Sequence, residues 1–482
     1  MGQPRPTLFR IRAFFAPRQT TFYQRRANTV RAVLMKQDSV ASSPSAIALL
    51  PLLLFLALFV GAGLWYQSQG TAMAFYQVSA PVAILPAIAL AIALAHGRLS
   101  QRIDTFIRGI GDPTIITMVL IYLLAGAFAS VAKAVGGVDA TVNFGLSYIP
   151  PTLVLPGLFL ITAFVATAMG TSMGTIAAIA PIAVGLSNAT ELPMLLTIGT
   201  VVGGAMFGDN LSIISDTTIA ATRTQGVKMR DKFRMNLLIA LPAAAVALIW
   251  LYFSGTTAQI TAPGDYELIR VLPYIVVLVL AVSGVNVLLV LFIGILLAGA
   301  VGLGLQPDYS IGALSKDIYA GYTSMQEILI LSLMIGGLGA LMRAGGGLAW
   351  LGQRIDRISQ IGSRGKPGRK TGELGISTAV ALTNVCTANN TVAILLTGHL
   401  AKDMAERYGV DPRRSASLLD IYSCTVQGLL PYGAQILLAS SLAKVSPLAL
   451  AGSIHYCWLL GISALASIFT GFYKGRPRPA QR

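Results

Sequence analysis

The sequence predicts an all-α polytopic membrane protein with about ten transmembrane helices and two re-entrant hairpins, arranged as two inverted repeats with broken helices at the midplane. Three observations predict it. Of 482 residues 55% are hydrophobic and only 11% are charged, where a soluble domain carries about 25% charged residues, and the mean hydropathy is +0.71. Apolar runs of the roughly 20 residues that a helix needs to cross a hydrocarbon core of about 30 Å recur along the chain. The second half of the chain also repeats the first in outline.

The N-terminal segment Met1–Leu34 is rich in Arg, has no Asp or Glu, and has the composition of a transit peptide. Met35 opens a run into the first span and would serve as a start, so 1–34 is expected to be either an extension upstream of that start or a disordered basic tail. The first apolar run is a full span, so no cleavable signal is expected. Residues 1–45 are read as a cytoplasmic tail. The first repeat, 46–254, has spans beginning near Ala46, Pro81, Thr114, Leu192 and Asn236. The second, 268–473, has spans beginning near Leu268, Val285, Glu327, Ser415 and Leu448, and 474–482 is a second basic tail. Two further apolar stretches, hairpins 151–187 and 374–404, are interrupted by small polar residues instead of by a charged loop.

A net charge of +16 could mark a nucleic-acid binder, but the placement of the charges excludes it. With ten spans and a cytoplasmic N-terminus, only Lys133, Arg270, Lys316 and Lys444 of the 35 Lys and Arg fall outside. The rest gather in cytoplasmic segments such as Arg98–Arg108, Arg223–Arg234 and Arg343–Lys370, as the positive-inside rule requires. Cys386, Cys424 and Cys457 lie in apolar segments without metal-ligand spacing and read as buried thiols. His96, His399 and His455 are scattered and read as span-end or packed residues.

Internal duplication is the strongest architectural signal. Gly111–Gly137 laid on Gly321–Gly347 matches Gly111 with Gly321, Gly126 with Gly336, Gly136 with Gly346 and Gly137 with Gly347, and pairs Lys133 with Arg343. Farther on, Thr171–Ile176 lies over Thr387–Val392 and Gly208 over Gly428. Five spans precede the second repeat, so it enters from the opposite side, its hairpin flanked by Arg369, Lys370 and Lys402 on the cytoplasmic side. Inverted repeats with interrupted helices meeting near the midplane are the architecture of secondary transporters.

The chemistry is expected where the helices break, because irregular backbone at membrane depth is tolerated only when buried in protein or lining a cavity. The first hairpin tip offers Thr171, Ser172 and Thr175, and the second Thr387, Asn389, Asn390 and Thr391. These oxygen-rich, uncharged segments suit a hard cation such as Na⁺. The competing reading is that they only close the tips or let helices pack closely. The fourth span carries Asp209, Asn210, Ser215, Asp216 and Thr217, with Asp209 roughly 25 Å along it at about 1.5 Å per residue. A carboxylate within a span costs at least about 2.5 kcal/mol and usually marks an ion or proton path. Burial disfavours the charged form of a carboxyl group, so one such group can hold either H⁺ or Na⁺. The bland alternative, that an aspartate caps a half-helix, suits Asp216 better than Asp209. Weaker candidates are Glu327 at the start of the eighth span, Asp420 about one turn inside the ninth, and Gln427. The last sits with Gly428, Pro431, Tyr432, Gly433 and Gln435 in a break without a carboxylate.

The run Gly208–Asn236, with Leu124–Asn143 and Ala168–Gly185 before it, resembles the NhaC family of Na⁺/H⁺ antiporters, from about Ala46 to Tyr473. The hairpin tips also resemble those of the wider ion transporter superfamily, whose dicarboxylate carriers use Ser-Asn-Thr tips. Here Asn390-Thr391 keeps the Asn-Thr pair and Thr171–Thr175 departs from the pattern, which disfavours a dicarboxylate site. Some relatives carry Lys after the first aspartate of the Gly-Asp motif, where this chain has Asn210.

The resemblance implies a bacterial plasma-membrane antiporter exchanging Na⁺ for H⁺, multi-pass, with both termini cytoplasmic. Asp209 and Asp216 would be the proton and sodium carboxylates and the tips neutral Na⁺ ligands. It also implies a moving transport domain against a scaffold, fits a homodimer, and calls for no cofactor beyond the transported ions. The alternative is Na⁺- or H⁺-coupled transport of an organic substrate by carboxylate exchange or drug efflux. A channel would show flux without coupling. A membrane enzyme would need a nucleophile or metal cluster that the sequence does not display.

Overall fold

The computed structural model describes residues 43–69, 71, 77–213, 215–255, 264–362 and 368–471. Most of the expected N-terminal tail, residues 1–42, and all of the C-terminal tail, 474–482, lie outside the described residues. Among the described residues every regular element is a helix. The first half runs α1 (Leu50–Ser68), the short pair α2 (Ala80–Ala83) and α3 (Leu85–Leu94), then α4 (Leu99–Ile110) and α5 (Pro113–Ala134). It continues through α6 (Gly137–Tyr148), α7 (Val154–Met169), α8 (Ser172–Thr190), α9 (Met194–Leu211), α10 (Asp216–Gln225) and α11 (Met229–Gly255). The second half runs α12 (Leu268–Val282), α13 (Val287–Leu305), α14 (Ile311–Ser324), α15 (Gln326–Ala344), α16 (Gly347–Gly362) and α17 (Arg369–Thr387). It ends with α18 (Asn390–Tyr408), α19 (Pro412–Gln427), α20 (Ala434–Ala443), α21 (Pro447–Ser453) and α22 (His455–Thr470).

Seven helical segments among the described residues are long and apolar enough to cross a membrane, or eight if α20 and α21, bent by 106°, form one span. Shorter apolar helices cover the expected spans from Pro81 (Ala80–Leu94), Leu268 (α12) and Leu448 (α22), and α7 is a further one. Apolar length alone hides the breaks. The run from Pro81 is cut at Ile84, and the run from Ser415 belongs to a helix that starts at Pro412 and stops at Gln427. The expected hairpins are α7 with α8 and α17 with α18. Their arms of 16 to 19 residues are about 24 to 28 Å long. Ser172–Thr190 passes as a span in its own right.

The two hairpin tips are built alike. At the first, Gly170 adopts the left-handed conformation (φ 69°) and extended Thr171 caps α8 by accepting from the Gly174 N–H. At the second, Ala388 takes the left-handed position (φ 49°) and extended Asn389 caps α18 by accepting from the Val392 N–H. This sets Thr171 opposite Asn389 and Ser172 opposite Asn390, two residues away from the register that the Thr171–Thr387 match suggests. The sequence match followed side-chain type, whereas the backbone turn fixes which residue caps.

Contacts between the halves are reciprocal. α4 packs on α15 and α14 on α5, while α8 packs on α20 and α10 on α18. Gly126 of α5 meets the backbone of Gly321 in α14, and Gly109 of α4 meets that of Gly336 in α15, close approaches that any side chain would block. Between α5 and α15 the Ser332 hydroxyl donates to Tyr122 Oη at 3.2 Å.

Two helices are buried along most of their length. α9 buries nearly every residue from Thr197 to Leu211, and α19 buries Arg414 to Ile421 together with Ser423, Cys424, Thr425 and Gln427. α11 shows the opposite polarity on its two faces. Leu238, Leu241, Ile249, Trp250 and Phe253 are exposed, the surface expected against lipid, whereas Lys232, Asn236, Ala240, Ala243 and Ala247 face inward at helical spacing.

Candidate functional site

The close packing of α7 on α9 positions the first carboxylate. Gly204 and Gly208, four apart on α9, lie against the backbone of α7 at Phe159–Ala163 and Ala163–Thr167. Asp209 comes directly after Gly208 and is 5% exposed. Its Oδ2 accepts a hydrogen bond of 2.8 Å from Ser172 Oγ, the first residue of α8 after the hairpin break. Ser172 Oγ in turn accepts from Gln435 Nε2 at 3.1 Å. Gln435 Oε1 accepts from Gln427 Nε2 at 2.8 Å, and the same amide reaches Ala388 O at 3.2 Å at the second tip. One polar chain therefore runs from the carboxylate through the first tip and the break between α19 and α20 to the second tip.

α9 ends at Leu211, and Ser212 and Ser215, both extended, precede the start of α10. Ser212 Oγ donates to Thr167 O, Ser215 Oγ to Asp209 O, and Thr218 Oγ1 to Ser212 O, so freed carbonyls are held by hydroxyls. Beside this break stands a second carboxylate, Asp420, fully buried on α19. Its Oδ2 accepts from Lys232 Nζ at 2.7 Å, Asn236 Nδ2 at 2.7 Å and Asn210 Nδ2 at 3.1 Å. Lys232 Nζ also donates to Asn210 O at 2.6 Å and Thr218 Oγ1 at 2.7 Å. An ammonium at the C-terminal end of α9 meets the negative end of the helix dipole. Thr217, joined to Ser215 at 3.0 Å, lies next to Asp420. Both side chains of the Lys232–Asp420 pair are 0% exposed.

The structure thus gathers Asp209, Asn210, Ser172, Ser215, Thr217, Asp420 and Gln427 around two adjoining polar clusters. Thr171, Thr175 and Thr387 lie at the tips with their hydroxyls engaged locally: Thr175 Oγ1 donates to Thr171 O and Thr387 Oγ1 to Thr383 O. Asn389 and Asn390 are buried and cap the start of α18, the latter accepting from the Thr391 N–H, and each has an Nδ2 without a partner. Asp216 is not drawn in. It is exposed at the first position of α10, where Ser215 is the cap. Glu327 is exposed in the first turn of α15.

Sequence reasoning missed Lys232 and Asn236, and set Asp420 too low. Lys232 sits in the basic stretch Arg223–Arg234, which by charge alone reads as cytoplasmic loop, and Asp420 reads as interfacial. The available signal was the i, i+4 spacing of Lys232 and Asn236, which puts both on one face of α11 ahead of Ala240, Ala243 and Ala247. No group of three or more His, Cys, Asp or Glu side chains that could hold a metal occurs among the described residues.

Comparison with known proteins adds to this geometry. The family profile described as the Na⁺/H⁺ antiporter family matches residues 8–256 and 267–473. The chain is 25% identical over 390 residues to the Na⁺/H⁺ antiporter NhaC of Bacillus subtilis (strain 168), covering 76% of this chain and 84% of that protein. It is 24% identical over 382 residues, 73% of this chain and 80% of the relative, to the malate-2H⁺/Na⁺-lactate antiporter of the same strain. A further relative, the Na⁺/H⁺ antiporter NhaC of Alkalihalophilus pseudofirmus, is 25% identical over 345 residues, 66% of this chain and 74% of the relative.

Proposed function

Because this chain belongs to the Na⁺/H⁺ antiporter family, we propose that it exchanges Na⁺ for H⁺ through Asp209, with the two hairpin tips as neutral partners. The observation that carries the reading is a carboxylate buried at the end of a broken helix, hydrogen-bonded to the tip residue Ser172. In a buried site of this kind the neutral, protonated carboxyl and the Na⁺ carboxylate are the two electrically balanced states. Binding Na⁺ then requires that the proton leave, and rebinding the proton expels Na⁺, which couples the two fluxes. Ser172 can turn its lone pairs to the cation when Asp209 is ionised and holds Na⁺, and can hydrogen-bond the neutral carboxyl when Asp209 is protonated, since its hydroxyl rotates. Asp216 is proposed as an access residue on the aqueous side of the break and not as a second internal carrier, which fits its exposure.

The same reading makes residues 46–254 and 268–473 two inverted repeats, supported by the reciprocal packing of α4 on α15 and α14 on α5. It also sets the chain in the bacterial plasma membrane with both termini cytoplasmic, supported by the distribution of Lys and Arg.

The test is Asp209→Asn, which keeps size and hydrogen bonding and removes the titrating group. The variant is expected to insert and run as a monodisperse species in detergent, yet lose Na⁺-driven proton flux in proteoliposomes. Asp209→Glu is expected to keep part of that flux with a displaced pH profile. Malate and lactate gradients form a second arm of the same assay. Wild-type Na⁺-driven flux in a folded Asp209→Asn protein would remove Asp209 from the mechanism.

A further inference from the structure

The Lys232 ammonium occupies a coordination shell of a kind that suits a metal cation. Its three contacts are a carboxylate oxygen (Asp420 Oδ2, 2.7 Å), a backbone carbonyl freed by the break in α9 (Asn210 O, 2.6 Å) and a hydroxyl (Thr218 Oγ1, 2.7 Å). Oxygen-only shells of mixed carboxylate, carbonyl and hydroxyl type are those of hard cations. Two more oxygens belong to the same cluster. Asn210 and Asn236 both spend Nδ2 on Asp420, and the Oδ1 of each is buried with no donor. Buried acceptors are rarely left in that state, and two beside one carboxylate point to a ligand that carries positive charge. The carboxylate of Asp209 is near enough to interact electrostatically with both Asp420 and Lys232.

We propose that Asp420, Asn210, Asn236 and Thr218 form a second cation site in which Lys232 Nζ holds the place of the ion. A sodium-sized cation displaces the ammonium from Asp420 Oδ2 and Asn210 O and recruits the amide oxygens of Asn210 and Asn236. The displaced ammonium has somewhere to go. Lys232 lies in the first turns of α11, two residues beyond exposed Arg230, so its four-carbon stem can turn the charged head toward the same aqueous edge. The lysine is thus a tethered competitor: it keeps Asp420 neutralised between ions and sets how much Na⁺ is needed to enter. This inference rests on the Na⁺ antiport reading but uses a different carboxylate.

The first experiment needs no substitution. Purified full-length protein is treated with an amine-reactive reagent in saturating Na⁺ or in N-methylglucamine, and modification of Lys232 is followed by mass spectrometry. Na⁺ is expected to raise the labelling rate of Lys232 severalfold, and the Na⁺ effect is expected to vanish in Asp420→Asn. Equal labelling with and without Na⁺ in the wild type would overturn the proposal. In the second experiment, radioactive Na⁺ binding is measured at alkaline pH for Lys232→Gln. If the ammonium leaves the site for roughly a tenth of the time, its removal lowers the half-saturating Na⁺ concentration about tenfold. An unchanged or raised value in folded protein would also overturn the proposal. If Lys232→Gln does not fold, the labelling result decides. Loss of flux in Asp209→Asn together with Na⁺-independent labelling of Lys232 would keep the antiport reading and reject this one. Wild-type flux in Asp209→Asn with Na⁺-dependent labelling would remove Asp209 from the antiport mechanism and keep the site at Asp420.

Discussion

Adding a single methyl at Gly208 should weaken Na⁺ binding by moving a carboxylate that it does not touch. A Cβ at this position would lie 2.5 Å from Ala166 Cβ and 2.7 Å from Thr167 N, with Ala163 O closer still. Carbon atoms pack best at about 3.5 to 4.0 Å, and two of the three obstacles are backbone atoms that cannot rotate away. In Gly208→Ala, α7 and α9 must therefore separate by about 1 Å, at a cost of roughly 1 to 3 kcal/mol for overpacking. The adjacent Asp209 is joined to Ser172 by a 2.8 Å hydrogen bond, and Ser172 is tied to α7 through the two-residue tip Gly170-Thr171. A displacement of that size takes the bond beyond hydrogen-bonding distance. A hydrogen bond to a charged group is worth about 1.5 to 3 kcal/mol, so the half-saturating Na⁺ concentration should rise about tenfold or more. The matched control is Gly157→Ala on the same α7, where a Cβ would meet nothing within 4 Å. Thermal stability by size exclusion and Na⁺-driven proton flux in proteoliposomes are measured for both. Wild-type melting and Na⁺ dependence in Gly208→Ala, or equal losses in both variants, would refute the reasoning.

Three further outcomes are expected. Ser172→Ala removes the hydroxyl between Asp209 and Gln435; Na⁺-dependent flux should fall about tenfold while stability changes by roughly 1 kcal/mol, and retention of wild-type Na⁺ dependence would exclude the tip from the site. Glu373 is fully buried and accepts from Arg414 at 3.1 and 3.2 Å and pairs with Arg369 at 3.0 Å, tying α17 to α19; Glu373→Gln should destabilise by about 3 to 5 kcal/mol by leaving Arg414 uncompensated, seen as a large drop in melting temperature. Cysteines placed at Gln69 and Ser100 should react with an impermeant reagent from opposite sides of the membrane, and same-side labelling would contradict the orientation read from the basic segments.

Much of this protein was legible in its sequence because the bilayer imposes a coarse and strict rule. Spans must be apolar, breaks must carry groups that satisfy their own backbone, and Lys and Arg must gather on one side. Composition and patterning alone thus fixed the all-helical class, the two interrupted hairpins, the burial of Asp209 and the polar tips. Tertiary structure decided which polar groups meet. Asp216 lies seven residues after Asp209 and would share its face on a continuous helix, but α9 stops at Leu211, Ser212 and Ser215 are extended, and α10 starts afresh with Asp216 exposed. Lys232 and Asp420 come together from helices far apart in the chain. No periodicity links them, and a lysine beside Arg230 and Arg234 looks the same in sequence whether it faces water or a buried carboxylate. Charge placement along a chain is a local property that sequence records. Charge pairing across a fold depends on helix rotation and depth, which are set by close backbone approaches such as Gly208 against Ala163.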